Sequence, residues 1–343
     1  TMIARTAFAA LAGLTLMASA AHAEDPLKLD MILNWKYQSV QGGFFVAKDA
    51  GYFADAGLDV TMDQGSGSAG AITKVASGAY DVAFGDINAV IRVAAEQPDV
   101  APVCVYMIYN TPPFVIVSKS DSGIETPADL MGKTIGAPAS DGSYKLFPAF
   151  SKIAGIDEDG VTWSHMDANL REQMLMRGEV DAIAGFNTTI WFGAKRMGVD
   201  PETELNFMSF ADFGMDLYSN CVVVSRKLYT EHPEKVAGLV EAINKGFMDV
   251  LADPELAITA LQKRAPLAKA DIERDRFATV FDLLVFSDEM AELGLGDLDT
   301  ERLERSIGIV VDAYGLPATP EAGYVFDGSF LPPLEERTPP QSS

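Results

Sequence analysis

Hydrophobic and polar positions along the chain switch repeatedly between the two-residue period of a strand and the 3.6-residue period of a helix. The clearest succession runs from Leu58 to Asp86. It predicts a strand, a glycine-rich turn at 65–70, a helix over 71–76 that Gly78 terminates, and a second strand. The turn aims a helix N-terminus away from the sheet, where free backbone N–H groups can receive a polar or anionic group.

The same succession occurs a second time. The helix exit SGAYDVA at 77–83 returns as RGEVDAI at 177–183. Between them, the consecutive prolines Pro112 and Pro113 separate two strand-like runs, which is typical of a crossover between lobes. Two βαβ lobes joined by crossovers leave a cleft between their strand ends, and such clefts are a preferred place for ligands.

The last third of the chain is predicted to be helical and to pack back on the first lobe, because apolar residues recur at helical spacing after Pro233. We therefore assign residues 24–112 and 231–343 to a discontinuous first lobe and residues 113–230 to a second lobe. The proline-rich tail, residues 328–343, is expected to be disordered.

Residues 1–23 have the pattern of a signal peptide. Arg5 supplies the positive charge, residues 7–20 form a short apolar run, and Ala21-His22-Ala23 is an A-x-A cleavage signal. We expect cleavage before Glu24 and export to a bacterial periplasm.

Charge narrows the class of partner. The 343 residues include 26 Lys and Arg against 49 Asp and Glu, a formal net charge of −23. Such a surface repels nucleic acid and anionic membranes, so neither is expected as a partner. An anionic small molecule stays possible, because donors in a cleft act locally whereas a distant field is screened within about 10 Å.

The two cysteines, Cys104 and Cys221, stand in apolar strand-like runs that we assign to different lobes. Buried free thiols are therefore predicted, with a disulfide as the alternative in an oxidising compartment. Counting thiols distinguishes the two.

Signals for catalysis are few. The sequence at 65–70 matches the dinucleotide fingerprint G-x-G-x-x-G, but it follows the second strand of an exported chain, so a nicotinamide or flavin cofactor is not expected. The sequence has no G-x-S-x-G elbow, no C-x-x-C and no histidine cluster. We predict no catalytic residues, no cofactor and no metal, and expect a protein that binds and releases a ligand.

Three stretches, GGFFVAKDAGYFADAGLDV, SGAYDVAFGD and LMGKTIGAPASDGSYKLFPAF, resemble the periplasmic substrate-binding proteins of ABC importers. The resemblance is strongest to the group that serves thiamine-pyrimidine precursors, nitrate, sulfonates and taurine. It implies an α/β fold of the type II-like periplasmic binding protein, with two βαβ lobes joined by a double-crossover hinge. It also implies a monomer that delivers its ligand to an ABC permease and that permease's cytoplasmic ATPase.

The resemblance also implies ligand contacts at the strand ends and helix starts of both lobes. In the first lobe these residues are Asn34, Trp35, Tyr37, Gly67, Ser68 and Asp86. In the second lobe and at the return crossover they are Ser140, Asp141, Gly142, Ser143, Tyr144, Asn187, Thr188, Trp191 and Tyr218.

The nature of these residues favours a planar ligand with N–H donors, because aromatic rings stack on flat faces and carboxylates accept hydrogen bonds. Pyrimidine-binding relatives carry a proline, an asparagine and a histidine shortly after the Asn-Trp pair, and this chain does not. We predict a small heteroaromatic or amine-bearing nutrient, similar to a pyrimidine or thiamine precursor. The alternatives are an alkanesulfonate, taurine or nitrate and, in another class, a pyrimidine-synthase-like enzyme, whose expected cysteine-rich motif is absent here.

Overall fold

The computed structural model describes residues 25–339, and the predicted signal peptide and its cleavage site lie outside them. The strands form two five-stranded sheets. The first sheet consists of β1 (Leu27–Ile32), β2 (Leu58–Asp63), β3 (Val82–Asp86), β4 (Val103–Met107) and β10 (Asn220–Val224). The second consists of β5 (Phe114–Lys119), β6 (Thr134–Ala137), β7 (Thr162–His165), β8 (Ala182–Phe186) and β9 (Leu205–Ser209).

Both sheets have the same topology. The strand order is β2-β1-β3-β10-β4 in the first sheet and β7-β6-β8-β5-β9 in the second. In each, three neighbouring strands are parallel, and the fourth in the order, β10 or β5, runs antiparallel to both of its neighbours. The predicted two-lobed α/β fold is confirmed.

Helices cover both sheets. The first lobe carries α1 (Gly42–Asp49), α2 (Tyr52–Asp55), α3 (Ser68–Ala76), α4 (Ile87–Glu96), α9 (Arg226–Glu231), α10 (Pro233–Ala252), α11 (Pro254–Arg264), α12 (Ala270–Val280), α13 (Asp288–Leu293), α14 (Thr300–Tyr314) and α15 (Ala322–Val325). The second lobe carries α5 (Gly142–Ala154), α6 (Arg171–Met176), α7 (Asn187–Arg196) and α8 (Pro201–Glu204). Within residues 25–339, no helix combines the length and apolar character that crossing a bilayer requires.

The sequence repeat corresponds to a structural repeat. Gly78 and Gly178 both have positive φ, 76° and 69°, at the end of equivalent helices. Three residues later, the carboxylate of Asp81 accepts a hydrogen bond from the backbone N–H of Asp30 at 3.0 Å. The carboxylate of Asp181 accepts one from Thr134 at 2.8 Å. Each aspartate therefore ties the start of the central strand of its sheet, β3 or β8, to the neighbouring parallel strand, β1 or β6.

The predicted lobe boundary is wrong at one strand. Asn220–Val224 was assigned to the second lobe, but it pairs with β3 and β4 in the first sheet. The chain thus returns to the first lobe before Asn220. The two crossovers meet there, since Ser219 donates its N–H to the carbonyl of Tyr109 at 3.0 Å and Tyr109 donates to Asn220 at 2.9 Å.

That strand also explains why the cysteine prediction is wrong. Cys104 lies on β4 and Cys221 on the neighbouring β10, with their Cα atoms 6.0 Å apart, and the two form a disulfide. Both cysteines are fully buried. The prediction assigned β10 to the second lobe and so separated the two cysteines. In the structure their strands are neighbours, which allows the disulfide.

The tail is packed over much of the length that was predicted to be disordered. Short 3₁₀ turns occupy Gly328–Phe330 and Leu334–Glu336. Arg337 is buried and donates hydrogen bonds to the carbonyls of Leu293 at 2.9 Å and Leu295 at 3.1 Å. The buried guanidinium and its carbonyl acceptors anchor this segment to the first lobe. The prediction of disorder rested on proline content, which carries no information about this contact.

Candidate functional site

The N-terminal ends of α3 and α5 meet across the cleft between the lobes. The N–H of Gly70 donates to the carbonyl of Ser140 at 3.1 Å, and the Ser140 hydroxyl donates to the carbonyl of Ser66 at 3.0 Å. A Cβ on Gly67 would lie 2.0 Å from the Ser140 carbonyl oxygen. Glycine is therefore required at position 67 for the lobes to approach this closely, and the structure is that of a closed cleft.

A small pocket remains beside this contact. Its lining comes from both lobes and consists of Asn34, Trp35, Ser68, Asp141, Arg171, Phe186 and Thr189. The open space measures about 10 Å³, roughly the room that one water needs. Because no organic molecule fits into that space, a ligand could occupy it only after the lobes separate.

The first-lobe wall follows the end of β1. Asn34 is buried and accepts a hydrogen bond from the Gln41 side-chain amide at 2.9 Å, which fixes its orientation. The Trp35 ring lies next to it and faces the second lobe. The guanidinium carbon of Arg171 is 5.1 Å from the Trp35 ring centroid, a cation–π contact that joins the two lobes.

The second-lobe wall is a buried cluster of charges at the start of α5 and α6. Arg171 donates hydrogen bonds to the Glu172 carboxylate at 2.7 and 3.1 Å and to the Ala184 carbonyl at 3.2 Å. Its Nη1 is also 3.6 Å from an Asp141 oxygen. Burial raises the pKa of Asp141 to about 6, and the Arg171 charge and the N–H groups at the start of α5 oppose this rise.

Asp86 is the counterpart of Asp141 in the first lobe. Each caps a helix, Asp86 by accepting the N–H of Asn88 at 3.1 Å and Asp141 by accepting the N–H of Ser143 at 2.8 Å. Burial raises the pKa of Asp86 to about 7, the two hydrogen bonds from Asn88 lower it, and the charge of Asp141 across the cleft raises it further. Two carboxyl groups therefore approach each other when the lobes close.

Ser68 has an unsatisfied hydroxyl. The side chain is 4% exposed, and its Oγ has no hydrogen-bond partner in the described structure. A buried unpaired hydroxyl costs free energy unless something bonds to it. The Ser68 hydroxyl, at the first turn of α3, is thus the pocket's readiest donor and acceptor for a ligand.

Several predicted contacts are placed around the pocket rather than in its lining. Gly142 packs its backbone against Ser68, since a Cβ there would lie 2.6 Å from the Ser68 hydroxyl. Tyr37 donates its hydroxyl to the Met62 carbonyl at 2.8 Å and, with Trp35, lines an adjoining pocket of about 70 Å³ between the lobes. Ser143 donates its hydroxyl to the Gly185 carbonyl at 2.7 Å, which ties α5 to β8.

Other predicted residues lie farther away. Tyr144 packs edge-on against Trp163 at 4.7 Å, and Trp191 packs against Phe207 at 5.7 Å. Tyr218 is fully buried in the first lobe, where its hydroxyl donates to the Glu289 carboxylate. In the closed arrangement Tyr144, Trp191 and Tyr218 do not line the small pocket. Their contacts with a ligand remain predictions.

Helix α7 presents a different residue from those predicted. Asn187 accepts the N–H of Thr188 at 2.6 Å within the first turn, and Thr188 is buried. Thr189 is the residue of this helix that lines the pocket. The predicted pair thus identified the right turn of chain but not the side chain that faces the cleft.

Arg171 and Phe186 were missed. Arg171 stands at the start of a short helix with polar residues around it, the ordinary pattern of a solvated surface. Phe186 ends an apolar strand and packs edge-on against Phe114 at 5.5 Å. The available signal was positional, because Phe186 follows the repeated phrase at the same distance as Asp86 does in the first lobe.

Comparison with known proteins gives a family. Residues 38–257 match the family model described as NMT1/THI5 like. The formylaminopyrimidine-binding protein of Halalkalibacterium halodurans is 26% identical over 235 residues, covering 68% of this chain and 69% of the relative. The riboflavin-binding protein RibY of Chloroflexus aurantiacus is 27% identical over 295 residues, covering 84% and 82%.

Other relatives are named as enzymes. The 4-amino-5-hydroxymethyl-2-methylpyrimidine phosphate synthase of Aspergillus parasiticus is 23% identical over 263 residues, covering 74% of this chain and 75% of the relative.

A solved structure supports the fold. The alkanesulfonate-binding protein SsuA of Xanthomonas axonopodis pv. citri, bound to MOPS, superposes with a TM-score of 0.66 at 16% identity, over 88% of this chain and 99% of that one. The two-lobed architecture and the extent of the family match together show that this chain belongs to the NMT1/THI5-like family and has the periplasmic-binding-protein fold.

Proposed function

We propose that the protein is the periplasmic solute-binding component of an ABC importer, a monomer that carries a small heteroaromatic or amine-bearing nutrient in the cleft between its lobes. Two relatives that are named for binding a formylaminopyrimidine and riboflavin support this class of ligand. On this proposal the residues of the small pocket hold the ligand, and the closed form docks on a permease.

The observation that carries the proposal is the pairing of a flat aromatic wall with an acidic one. Trp35 offers a π-face from the first lobe. Opposite it, the Arg171 guanidinium is already engaged by Glu172 and the Ala184 carbonyl, so it has little capacity left for an anion. Two carboxylates, Asp141 and Glu172, flank this single cation and favour a ligand that donates N–H groups.

Opening the lobes separates Arg171 from Trp35 and uncovers the indole face. A planar ring can then stack there, and closure brings Asp141 to its polar edge. Since the ligand touches both lobes only in the closed form, its binding energy shifts the equilibrium toward closure.

Isothermal titration of the purified protein tests the ligand class. The panel consists of 4-amino-5-hydroxymethyl-2-methylpyrimidine, a formylaminopyrimidine, riboflavin, taurine and short alkanesulfonates. We expect binding by one of the heteroaromatic compounds. Tight binding of a sulfonate, with no binding of the heteroaromatic compounds, would contradict the proposed ligand. Iron-dependent turnover of a bound pyrimidine would contradict a purely binding role.

Substituting Trp35 by Ala should weaken binding of the preferred ring by more than about tenfold, since stacking and burial of an aromatic face are worth about 1 to 3 kcal/mol. The melting temperature should change little, because the Trp35 ring is partly exposed at the cleft. Trp163→Ala is the matched control, since Trp163 packs on Tyr144 and Phe147 outside the pocket. Equal losses in both variants would show that Trp35 does not hold the ligand.

A sulfonate is the second candidate because the N-terminus of α3, which no side chain caps, points into the cleft and offers backbone N–H groups. The unpartnered Ser68 hydroxyl adds a donor. In that case Ser68→Ala should weaken alkanesulfonate binding, whereas Trp35→Ala should have the smaller effect.

A further inference from the structure

A larger cavity, of about 330 Å³, also lies between the lobes, farther along α3 and α5 than the small pocket. Helices α3 and α4 of the first lobe line it on one side and α5 of the second lobe on the other. Tyr314, the last residue of α14, closes one end and donates its hydroxyl to the Lys145 carbonyl. This cavity therefore takes its present shape only when the lobes are together.

Each lobe contributes one cation to this cavity. Arg92 on α4 lies over the Tyr314 ring, with its guanidinium carbon 4.3 Å from the ring centroid. Lys145 on α5 lies over the ring of Tyr144, with its Nζ 4.9 Å from the centroid. The aromatic rings hold both side chains in place on the cavity wall without neutralising their charge.

Neither cation has an ion-pair partner within residues 25–339, where the ion pairs of Arg and Lys involve other residues. The Arg92 Nε is buried and lacks a hydrogen-bond acceptor in this part of the chain. This is unexpected in a protein with 49 acidic and 26 basic residues, where carboxylates are plentiful. A buried N–H of a guanidinium ordinarily finds an acceptor.

Closure also brings the two cations into the same partly desolvated space. Burial lowers the pKa of Lys145, and the charge of Arg92 lowers it further. The closed form therefore carries an electrostatic cost here, which an anion between the two side chains would offset.

The carboxyl groups near the cavity do not fill this role. Asp86 lines it, but its Oδ1 accepts both hydrogen bonds from Asn88, and Glu96 is exposed at the far end of α4. An adjoining groove of about 750 Å³, which shares both cations, carries the exposed acidic run 157–159 at its edge. Asp86 is buried in the cavity wall and the exposed carboxylates lie at the rim, so the space between the two cations suits a compact anion better than an extended polyanion.

We propose that Arg92 and Lys145 form a binding site for a small oxyanion group, such as a phosphate, sulfate or sulfonate, that assembles when the lobes close and stabilises the closed form. The proposal needs only closure and does not depend on what the small pocket binds. The anion can be a free ion or the charged group of the cleft ligand, and the experiment separates the two sources.

The first arm titrates the full chain with sodium phosphate and sodium sulfate at constant ionic strength set with sodium chloride, measuring heat and melting temperature. We expect a saturable increase in melting temperature. Arg92→Gln and Lys145→Gln should each weaken the apparent affinity by about tenfold or more, because each removes a charge-assisted hydrogen bond. Lys145→Arg keeps the charge and should retain binding.

Lys74→Gln is the matched control, since Lys74 also lies over a tyrosine ring, 5.5 Å from the centroid of Tyr80, but outside the cavity. Melting in chloride alone reports whether each variant is folded. Because each lobe supplies one of the two cations, one folded variant is enough to test the site. An unchanged response in both Arg92→Gln and Lys145→Gln would overturn the site.

The second arm compares 4-amino-5-hydroxymethyl-2-methylpyrimidine with its phosphate, and this arm alone rests on the proposed function. In one outcome, inorganic anions do not bind, the pyrimidine phosphate binds more tightly than the free pyrimidine, and Arg92→Gln abolishes this difference in affinity. The site then recognises the ligand's own charged group. The proposal would be overturned if the inorganic anions do not bind and the free pyrimidine and its phosphate bind with equal affinity. If neither pyrimidine compound binds, the result counts against the proposed function. The titration with phosphate and sulfate then decides whether the anion site exists.

Discussion

At the scale of single residues, Gly67 sets how closely the two lobes can approach. Its Cα faces the Ser140 carbonyl, and a methyl group would lie 2.0 Å from that oxygen. The φ of 164° is extended backbone that any residue adopts, so the constraint comes from the opposite lobe and not from the local chain.

Gly67→Ala should therefore leave the free energy of unfolding of each lobe nearly unchanged but hold the cleft partly open. Ligand affinity should fall, and small-angle scattering of the ligand-bound protein should give a larger radius of gyration than wild type. Gly308→Ala is the control, because a Cβ there meets no atom within 4 Å and alanine in a helix is favoured by about 1 kcal/mol. Normal closure of Gly67→Ala would contradict this account.

Asp86 and Asp141 make a pH prediction. Their pKa values are raised in the folded protein, to about 7 and about 6, so the folded state binds more protons than the unfolded chain between the ordinary aspartate pKa near 3.9 and those values. Their contribution to stability is present in acid and is lost as the pH rises toward 7.

We expect Asp86→Asn to flatten the fall in unfolding free energy between pH 5 and pH 8, measured by urea denaturation at both values. Asparagine keeps the helix cap but cannot ionise. Asp129→Asn is the control that should leave this slope unchanged, because hydrogen bonds from Thr126 hold the pKa of Asp129 below its usual range and its contribution changes only in more acidic solution. An identical pH slope in Asp86→Asn and wild type would refute the raised pKa.

At the scale of elements, the disulfide joins the two strands that flank the excursion into the second lobe. Cys104 precedes the first crossover and Cys221 follows the second, so the bond closes a loop with a sequence separation of 117. Closing a loop of this length restricts the unfolded chain, an effect of about 3 to 5 kcal/mol in loop-entropy terms.

Reduction should therefore lower the urea midpoint of unfolding without removing the fold, because two thiols still fit between β4 and β10. A thiol assay in denaturant without reductant should detect no free thiol, and after reduction it should detect both cysteines. Detection of both thiols before reduction would restore the expectation of free cysteines.

The elements also show what the sequence could predict. Periodicity predicted the helical last third after Pro233, where α10, α11 and α14 lie, because each of these helices begins at a proline or after a capping residue and buries one face. Periodicity could not assign the apolar strand Asn220–Val224 to a sheet, because NCVVVS is apolar on both faces and fits the centre of either lobe. The errors in the lobe boundary and in the cysteine pairing both follow from that one ambiguity.

The candidate site was predictable where the chain ends a strand or begins a helix. Asn34, Trp35, Ser68 and Asp141 occupy such positions, and all four line the small pocket. Arg171 could not be found in this way, because its burial depends on partners that only the tertiary fold brings together.

At the scale of the whole molecule, contacts on two sides of the cleft hold the lobes together. Lys195 of α7 pairs with Asp275 of α12 at 2.7 Å, and Ser66 meets Ser140 with their hydroxyl oxygens 3.4 Å apart. The Lys195 pair is exposed and contributes at most about 1 kcal/mol. The closed form is thus held by several weak contacts, which suits a cleft that must reopen.

The double variant Ser66→Cys with Ser140→Cys should allow the lobes to be cross-linked. In the oxidised form, ligand association should be slowed severely because the cleft cannot open, and reduction should restore it. Stopped-flow fluorescence of the cleft tryptophan measures both rates, with each single variant as the control. Fast association in the verified cross-linked form would mean that ligand enters without lobe separation.

The matching strand orders make each lobe depend on the other half of the chain. Strands β1 to β5 and β6 to β10 form equivalent halves, yet β5 completes the sheet of the second half and β10 completes the sheet of the first. The molecule is thus organised as two copies of a half-length unit that exchange their last strands, covalently fused into one polypeptide. A half-length unit alone would lack one strand of its sheet, so neither lobe can complete its sheet without the other half of the chain.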